Sequence, residues 1–169
     1  MRVAVTGTPG TGKTTATERL DADLDVVHLN EAVREHDLYD EVDEERDSVI
    51  VDLDAAREWL GDRDDVLIES HLAHHLDVDR VVVLRCHPED LEDRLRERGD
   101  ESEASITENA ESEALDVILS EAVDRHGVES VYEIDATNRS PDAVATEIDA
   151  VVRGEREPSA GEVSFIEYL

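Results

Sequence analysis

Apolar residues along this chain fall into two alternating rhythms. Short apolar runs bounded by charged or turn-forming residues read as buried strands at Arg2 to Thr6, Val26 to Leu29, Val66 to Glu69, Arg80 to Arg85 and Ser130 to Asp135. Between them the apolar spacing turns helical. Helices are expected over Lys13 to Leu20, over Leu53 to Leu60 with Gly61 as the stop, over Pro88 to Arg98 closed by Gly99, and over Pro141 to Val152. Asn30 is placed to cap a short helix to His36, with Glu31 in its first turn. Ile106, Ala110, Ala114, Val117 and Ile118 recur at helical spacing, which predicts one long helix ending near His126. Residues 37–52 are acidic and expected to be irregular.

Short strands alternating with helices predict an α/β protein, with a five-stranded parallel sheet covered by helices on both faces. Residues 1–153 make one domain in this reading, and 154–169 a C-terminal tail holding the chain's only phenylalanine, Phe165. The tail is expected to pack on its own domain or fray, the alternative being a docking peptide for a partner.

Charge changes the picture. The 169 residues carry 16 basic and 46 acidic side chains, a formal charge of −30. The acid is interleaved with regular apolar positions, so a folded protein adapted to concentrated salt fits better than a disordered one. In roughly 1 M salt the Debye length is ~3 Å, and such a surface no longer repels itself strongly. A halophilic cytoplasm is the expected setting, with the chain a monomer. The missing basic surface argues against direct nucleic-acid binding. Cys86 stands alone, so neither a disulfide framework nor a cysteine-rich zinc site is available. Nothing at the start reads as a secretory signal, and apolar runs such as Val81 to Leu84 are too short to span a membrane.

The only lysine of the chain is Lys13, inside Gly7-Thr8-Pro9-Gly10-Thr11-Gly12-Lys13-Thr14. This fits the phosphate-binding pattern G-x-x-x-x-G-K-[ST], between a strand and a helix as the motif requires. Gly10 and Gly12 permit backbone angles that other residues resist. The amides of Gly10, Thr11, Gly12, Lys13, Thr14 and Thr15 would face phosphates, Lys13 would neutralise their charge, and Thr14 would hold Mg²⁺. A GTPase would need a second lysine in its guanine-reading motif. Arginines near predicted strand ends instead suit an enzyme that clamps two phosphate-bearing substrates.

Several stretches together resemble the nucleoside monophosphate kinases, in particular the adenylate kinase isoenzyme 6 family. They are Val5 to Thr15, Arg34-Glu35 with Leu38-Tyr39-Asp40 and Asp43-Glu44-Glu45, Glu69 with His71, Val83-Leu84-Arg85, Leu91 with Arg94-Leu95 and Arg98-Gly99, and Ile106 to Asn109 with Glu113. The resemblance covers residues 3–126. It implies the P-loop three-layer fold and transfer of phosphate from ATP, with Mg²⁺, to a nucleoside monophosphate, foremost AMP. It implies that Arg34 grips the acceptor in a region over residues 30–60. Glu69 would orient magnesium through water, although relatives often have aspartate there. His71 occupies the place of a histidine linked to activity, while His74 and His75 are expected to be surface or packing residues. Arg94 and Arg98 share a helix face at the base of a lid over residues 99–108, whose tip lacks the basic residues relatives can carry. Asn138, within Ala136 to Ser140, falls where related kinases meet the adenine edge. The family also resembles ATPases that assemble the small ribosomal subunit through a ribosomal protein, uS11. That leaves an assembly ATPase as the alternative function, and a kinase for a non-nucleotide metabolite as a third.

If the acid surface is adapted to salt, both circular dichroism and activity fall on dilution from about 3 M to about 0.1 M KCl, because carboxylate repulsion is then unscreened. Unchanged signals across that range would overturn the halophilic reading.

Overall fold

The computed structural model describes residues 1–45 and 48–169. Five strands form one parallel sheet: β1 (Arg2–Thr6), β2 (Asp25–His28), β5 (Val66–Glu69), β6 (Arg80–Arg85) and β7 (Val131–Asp135), in the order β2-β5-β1-β6-β7. The predicted three-layer α/β architecture is the observed one. Alternation along each strand feeds two cores. Ala4, Ile68, Val81 and Val83 point to one face and Val3, Val5, Leu67, Val82 and Leu84 to the other. On the first face lie α2 (Leu29–Glu35), α3 (Leu53–Leu60) and α6 (Val117–His126); on the second lie α1 (Lys13–Thr17) and α7 (Pro141–Val152). The helices α4 (Pro88–Arg98) and α5 (Glu103–Ala114) pack on each other around Cys86, Leu91, Leu95 and Ile106. The carboxyl ends of the strands therefore open onto one edge, where ligands of parallel sheets bind.

Four expectations need correction. Residues 37–52 are not irregular. They contain β3 (Tyr39–Asp43) and β4 (Ser48–Val51), an antiparallel pair with a bulge after Tyr39. Val49, Val51 and Tyr39 pack against the first core, and this burial outweighs the acidic composition that hid the strands. Residues 46 and 47, part of that stretch, lie outside the described residues.

The long helix predicted through His126 is two helices. The chain breaks at Asp116, whose φ of 56° is left-handed, and the Asp116 carboxylate accepts from Arg85 at 2.6 Å. Helix α1 stops at Thr17 rather than Leu20. The Thr17 hydroxyl donates back to the Lys13 and Thr14 carbonyls, and Asp149 captures the amides of Asp21 and Ala22. Asn30 does not cap α2. The helix begins one residue earlier, and the Asn30 side-chain oxygen accepts from the Ser70 hydroxyl at 3.0 Å.

The tail folds back on the domain. Gly161 and Glu162 donate their amides to Glu133, Ser159 donates to the Val131 carbonyl, and Tyr168 donates to Glu92 at 2.9 Å. Phe165 lies edge-on to His87, with the Arg85 guanidinium 5.4 Å from its ring centre.

Arg85 is the hub of this end of the sheet. It is fully buried and donates to Glu113 at 3.0 Å, Glu133 at 2.8 Å and Asp116 at 2.6 Å, and to the Glu113 carbonyl. Replacing Arg85 by Met strands Glu113 and Glu133 without a countercharge. Chemical denaturation should show a loss of about 3–5 kcal/mol, the cost typical of breaking a buried ion pair from one side.

Candidate functional site

The loop between β1 and α1 is shaped by close approach. Gly7 has φ 149°, and a Cβ there would meet the Leu84 carbonyl oxygen at 2.6 Å. Gly10 has φ 94°, and its Cβ would run into Leu91 and Leu95 at 2.8 and 3.1 Å. Glycine is thus required by contact with β6 and α4 as well as by backbone angle. No side chain caps the start of α1 at Gly12, and its first-turn amides have no intrahelical acceptor.

Lys13 is buried. Its ammonium donates to the carbonyls of Gly7 at 2.9 Å and Thr8 at 3.2 Å. Burial lowers its pKa from 10.5 to about 8, against the opposing pull of Glu69 and Glu113. The Thr14 hydroxyl donates to Glu69 Oε2 at 3.3 Å, and His28 Nδ1 lies 2.8 Å from the same oxygen. Strand register explains this second contact, since His28 and Glu69 are paired positions at the ends of β2 and β5. A hydroxyl beside a buried carboxylate is an all-oxygen donor set, which fits Mg²⁺. On the far side of the loop the Thr8 hydroxyl donates to Glu113 at 3.4 Å, joining the loop to the Arg85 network.

Thr8, Lys13, Thr14 and Glu69 line one cleft of about 1410 Å³. It brings together the loop from Gly10 to Thr15, Glu69, His71, Arg94, Arg98 and Arg34. Arg94 donates to the Gly10 carbonyl at 3.3 Å and so braces the loop. Arg98 sits on the exposed rim, paired with Asp100 at 3.2 Å. Arg34 is exposed on the last turn of α2. His71 is half-buried, and its pKa is depressed to about 4 by burial and by the charge of Lys13, His74 and His75. It is therefore a neutral donor or acceptor at pH 7, not a cation. Asn138 does not line the cleft. It holds a left-handed turn at φ 56°, and the wall beside it is made by Ala136 and Arg139. Of the stretch expected as a lid, only residues 99–102 lie between helices, since α5 already begins at Glu103 under a Ser102 cap. Its acids are tied down locally: Glu101 accepts from Ser105 and Asn109.

Sequence reasoning missed His28 as the partner of Glu69. Hydropathy gives no strand neighbours, and only the order β2-β5 places the two side by side. It also missed the roles of Arg85 and Glu113, although both stand in the stretches that carried the resemblance.

A family model described as an AAA domain matches residues 3–116. Proteins named "Putative adenylate kinase" are similar over the whole chain: 64% identity over the full length of both chains for one from Natronomonas pharaonis, and 64% for one from Halobacterium salinarum. A protein of the same name from Methanocaldococcus jannaschii is 36% identical over 93% of this chain and 89% of its own. The chain belongs to this family. The first two relatives come from salt-loving archaea, in keeping with the acid composition. Solved structures add the fold of the family: shikimate kinase from Aquifex aeolicus superposes with a TM-score of 0.59 over 92% of this chain and 98% of that one, at 15% identity. Among the described residues no helix is long and apolar enough to cross a membrane.

The lowered pKa of Lys13 has a consequence for binding. Above about pH 8 the free site holds a neutral amine, and a polyphosphate bound against it would restore the charge. Calorimetry in buffers of different ionisation enthalpy should show proton uptake on ATP binding, and affinity falling as pH rises through 8 toward 10.5. Lys13→Met should abolish both effects.

Proposed function

We propose that this protein is an ATP-dependent nucleoside monophosphate kinase acting foremost on AMP. The observation that carries the reading is the span of a single cleft. It runs from the phosphate loop past Glu69 to Arg34, and at about 1410 Å³ it exceeds the roughly 300–1,000 Å³ usual for one small ligand. A P-loop fold and relatives named as adenylate kinases support it.

In this reading the loop amides and Lys13 hold the phosphates of ATP. Lys13 gives up the Gly7 and Thr8 carbonyls and turns to the ligand. Thr14 would hold Mg²⁺ and Glu69 would orient it through water, and the ion would supply charge to offset that of the phosphates. His28 keeps Glu69 aimed at Thr14. Arg34 orients the acceptor phosphate, and Arg94 and Arg98 neutralise charge that develops on the transferring group. An acceptor oxygen forms a bond to the γ-phosphorus as the bond to the β,γ-bridging oxygen breaks, leaving two molecules of ADP. That oxygen is already anionic, so His71 need not remove a proton. Positioning and charge neutralisation supply the rate.

The test is ADP formation from ATP and Mg²⁺ with and without AMP, for the wild type and Lys13→Met, in about 3 M KCl so that surface repulsion is screened. A large AMP-dependent rate lost in the variant is expected, with Arg34→Ala raising the KM for AMP more than that for ATP. Lys13-dependent hydrolysis indifferent to AMP would overturn the kinase reading and point to the assembly ATPase.

A further inference from the structure

The cleft wall carries a second cluster of titratable side chains that the proposed transfer does not use. A single 3₁₀ turn over Ala73–His75 follows β5 and places two successive imidazoles against α6. His74 is buried, with Nδ1 2.8 Å from the Thr6 hydroxyl and Nε2 2.7 Å from Glu121 Oε2. His75 directs its own Nε2 at the same oxygen, at 3.5 Å. His126 Nε2 lies 2.7 Å from the His74 carbonyl and fixes the turn from behind. One ligand atom from each of His74, His75 and Glu121 lies within 4.8 Å of the others, and His75 and Glu121 both line the cleft.

We propose that His74, His75 and Glu121 form a binding site for a divalent transition-metal ion of the zinc class on the wall of the cleft. Two imidazoles and one carboxylate are the donor set that zinc takes in three-ligand sites, and a poor match to Mg²⁺, which takes oxygen ligands in an octahedron. Ligand distances of roughly 2.0–2.2 Å put donor atoms a little over 3 Å apart around a tetrahedral ion. The two contacts to Glu121, 2.7 and 3.5 Å, bracket that spacing. A metal-bound histidine needs its other ring nitrogen anchored, and Thr6 supplies the anchor for His74. Burial lowers the His74 pKa and keeps a ring lone pair available at neutral pH. Three protein ligands would leave a fourth position for water or another donor. The site is separate from Thr14 and Glu69 and does not depend on the kinase reading.

A surface of net charge −30 attracts cations everywhere, so the titration is run in about 3 M KCl, where such attraction is screened. Chelator-stripped, nucleotide-free protein is titrated with Zn²⁺ by calorimetry and with Co²⁺ by visible absorption, in the presence of excess Mg²⁺. We expect one ion per chain, a tetrahedral Co²⁺ spectrum, and affinity reduced more than about 100-fold in His75→Ala and Glu121→Gln, beyond the loss usual for a supporting residue. Both positions are partly exposed, so the variants should fold, and circular dichroism checks this. His36→Ala, at the C-terminal end of α2 beside Trp59, should bind as the wild type does. No binding in the presence of Mg²⁺, or equal binding in all variants, would overturn the proposal and leave the cluster as a hydrogen-bonded packing motif.

Discussion

One buried guanidinium organises the working edge of this molecule. Arg85 ends β6, and its donors reach Glu113 on α5, Asp116 at the break before α6 and Glu133 on β7. Two of these carboxylates then serve a second purpose. Glu113 also accepts the Cys86 amide and the Thr8 hydroxyl, which fixes the phosphate loop from below. Glu133 also accepts two amides of the tail. Burying so many charges is costly, and the cost is offset only because nearly every donor and acceptor is matched. The geometry is therefore stiff: the loop, the helix break and the tail share one set of hydrogen bonds. Burial pushes the Glu113 pKa up while Arg85 pulls it down, the balance expected of an acid held in a dry, paired site.

The phosphate loop sits in an electrostatic setting opposite to its purpose. The surface is strongly acidic, yet in the proposed function the loop must attract a polyanion. Three local features resolve the conflict. Open amides at the start of α1 supply partial positive charge, Lys13 is withheld from any carboxylate and rests on neutral carbonyls, and Arg94 and Arg98 close the rim. Concentrated salt removes most of the long-range repulsion, so these short-range contacts decide binding. Lysine survives only at the position whose chemistry needs a compact point charge, while arginine serves everywhere else.

Much of this was legible from residue order alone. The strand–loop–helix at Val3 to Ala16, the five sheet strands, and the helix boundaries at Pro88, Gly99 and Pro141 each depend on neighbours within a few positions, so local pattern suffices. Lys13 and Thr14 belong to a contiguous motif and Glu69 to a strand end, and the structure places all three on the cleft. The antiparallel pair of β3 and β4 was hidden because its apolar positions are few and its stability comes from docking on a distant core. The break at Asp116 was hidden for the same kind of reason: helical spacing continues through it, and only a guanidinium from another element holds it in a left-handed turn.

Residue order was enough for the fold class, the phosphate loop and the acid surface, because periodicity, a contiguous motif and composition are local or additive properties of the chain. The tertiary structure alone decided that His28 steadies Glu69, that Asn30 serves Ser70 instead of capping its helix, that Asn138 lies off the cleft wall while Arg139 lines it, and that two histidines converge on Glu121. Those facts depend on strand order and helix docking, which bring together side chains up to 47 positions apart, as for His74 and Glu121. No spacing rule along the chain encodes such a meeting; it follows from packing both faces of the sheet at once.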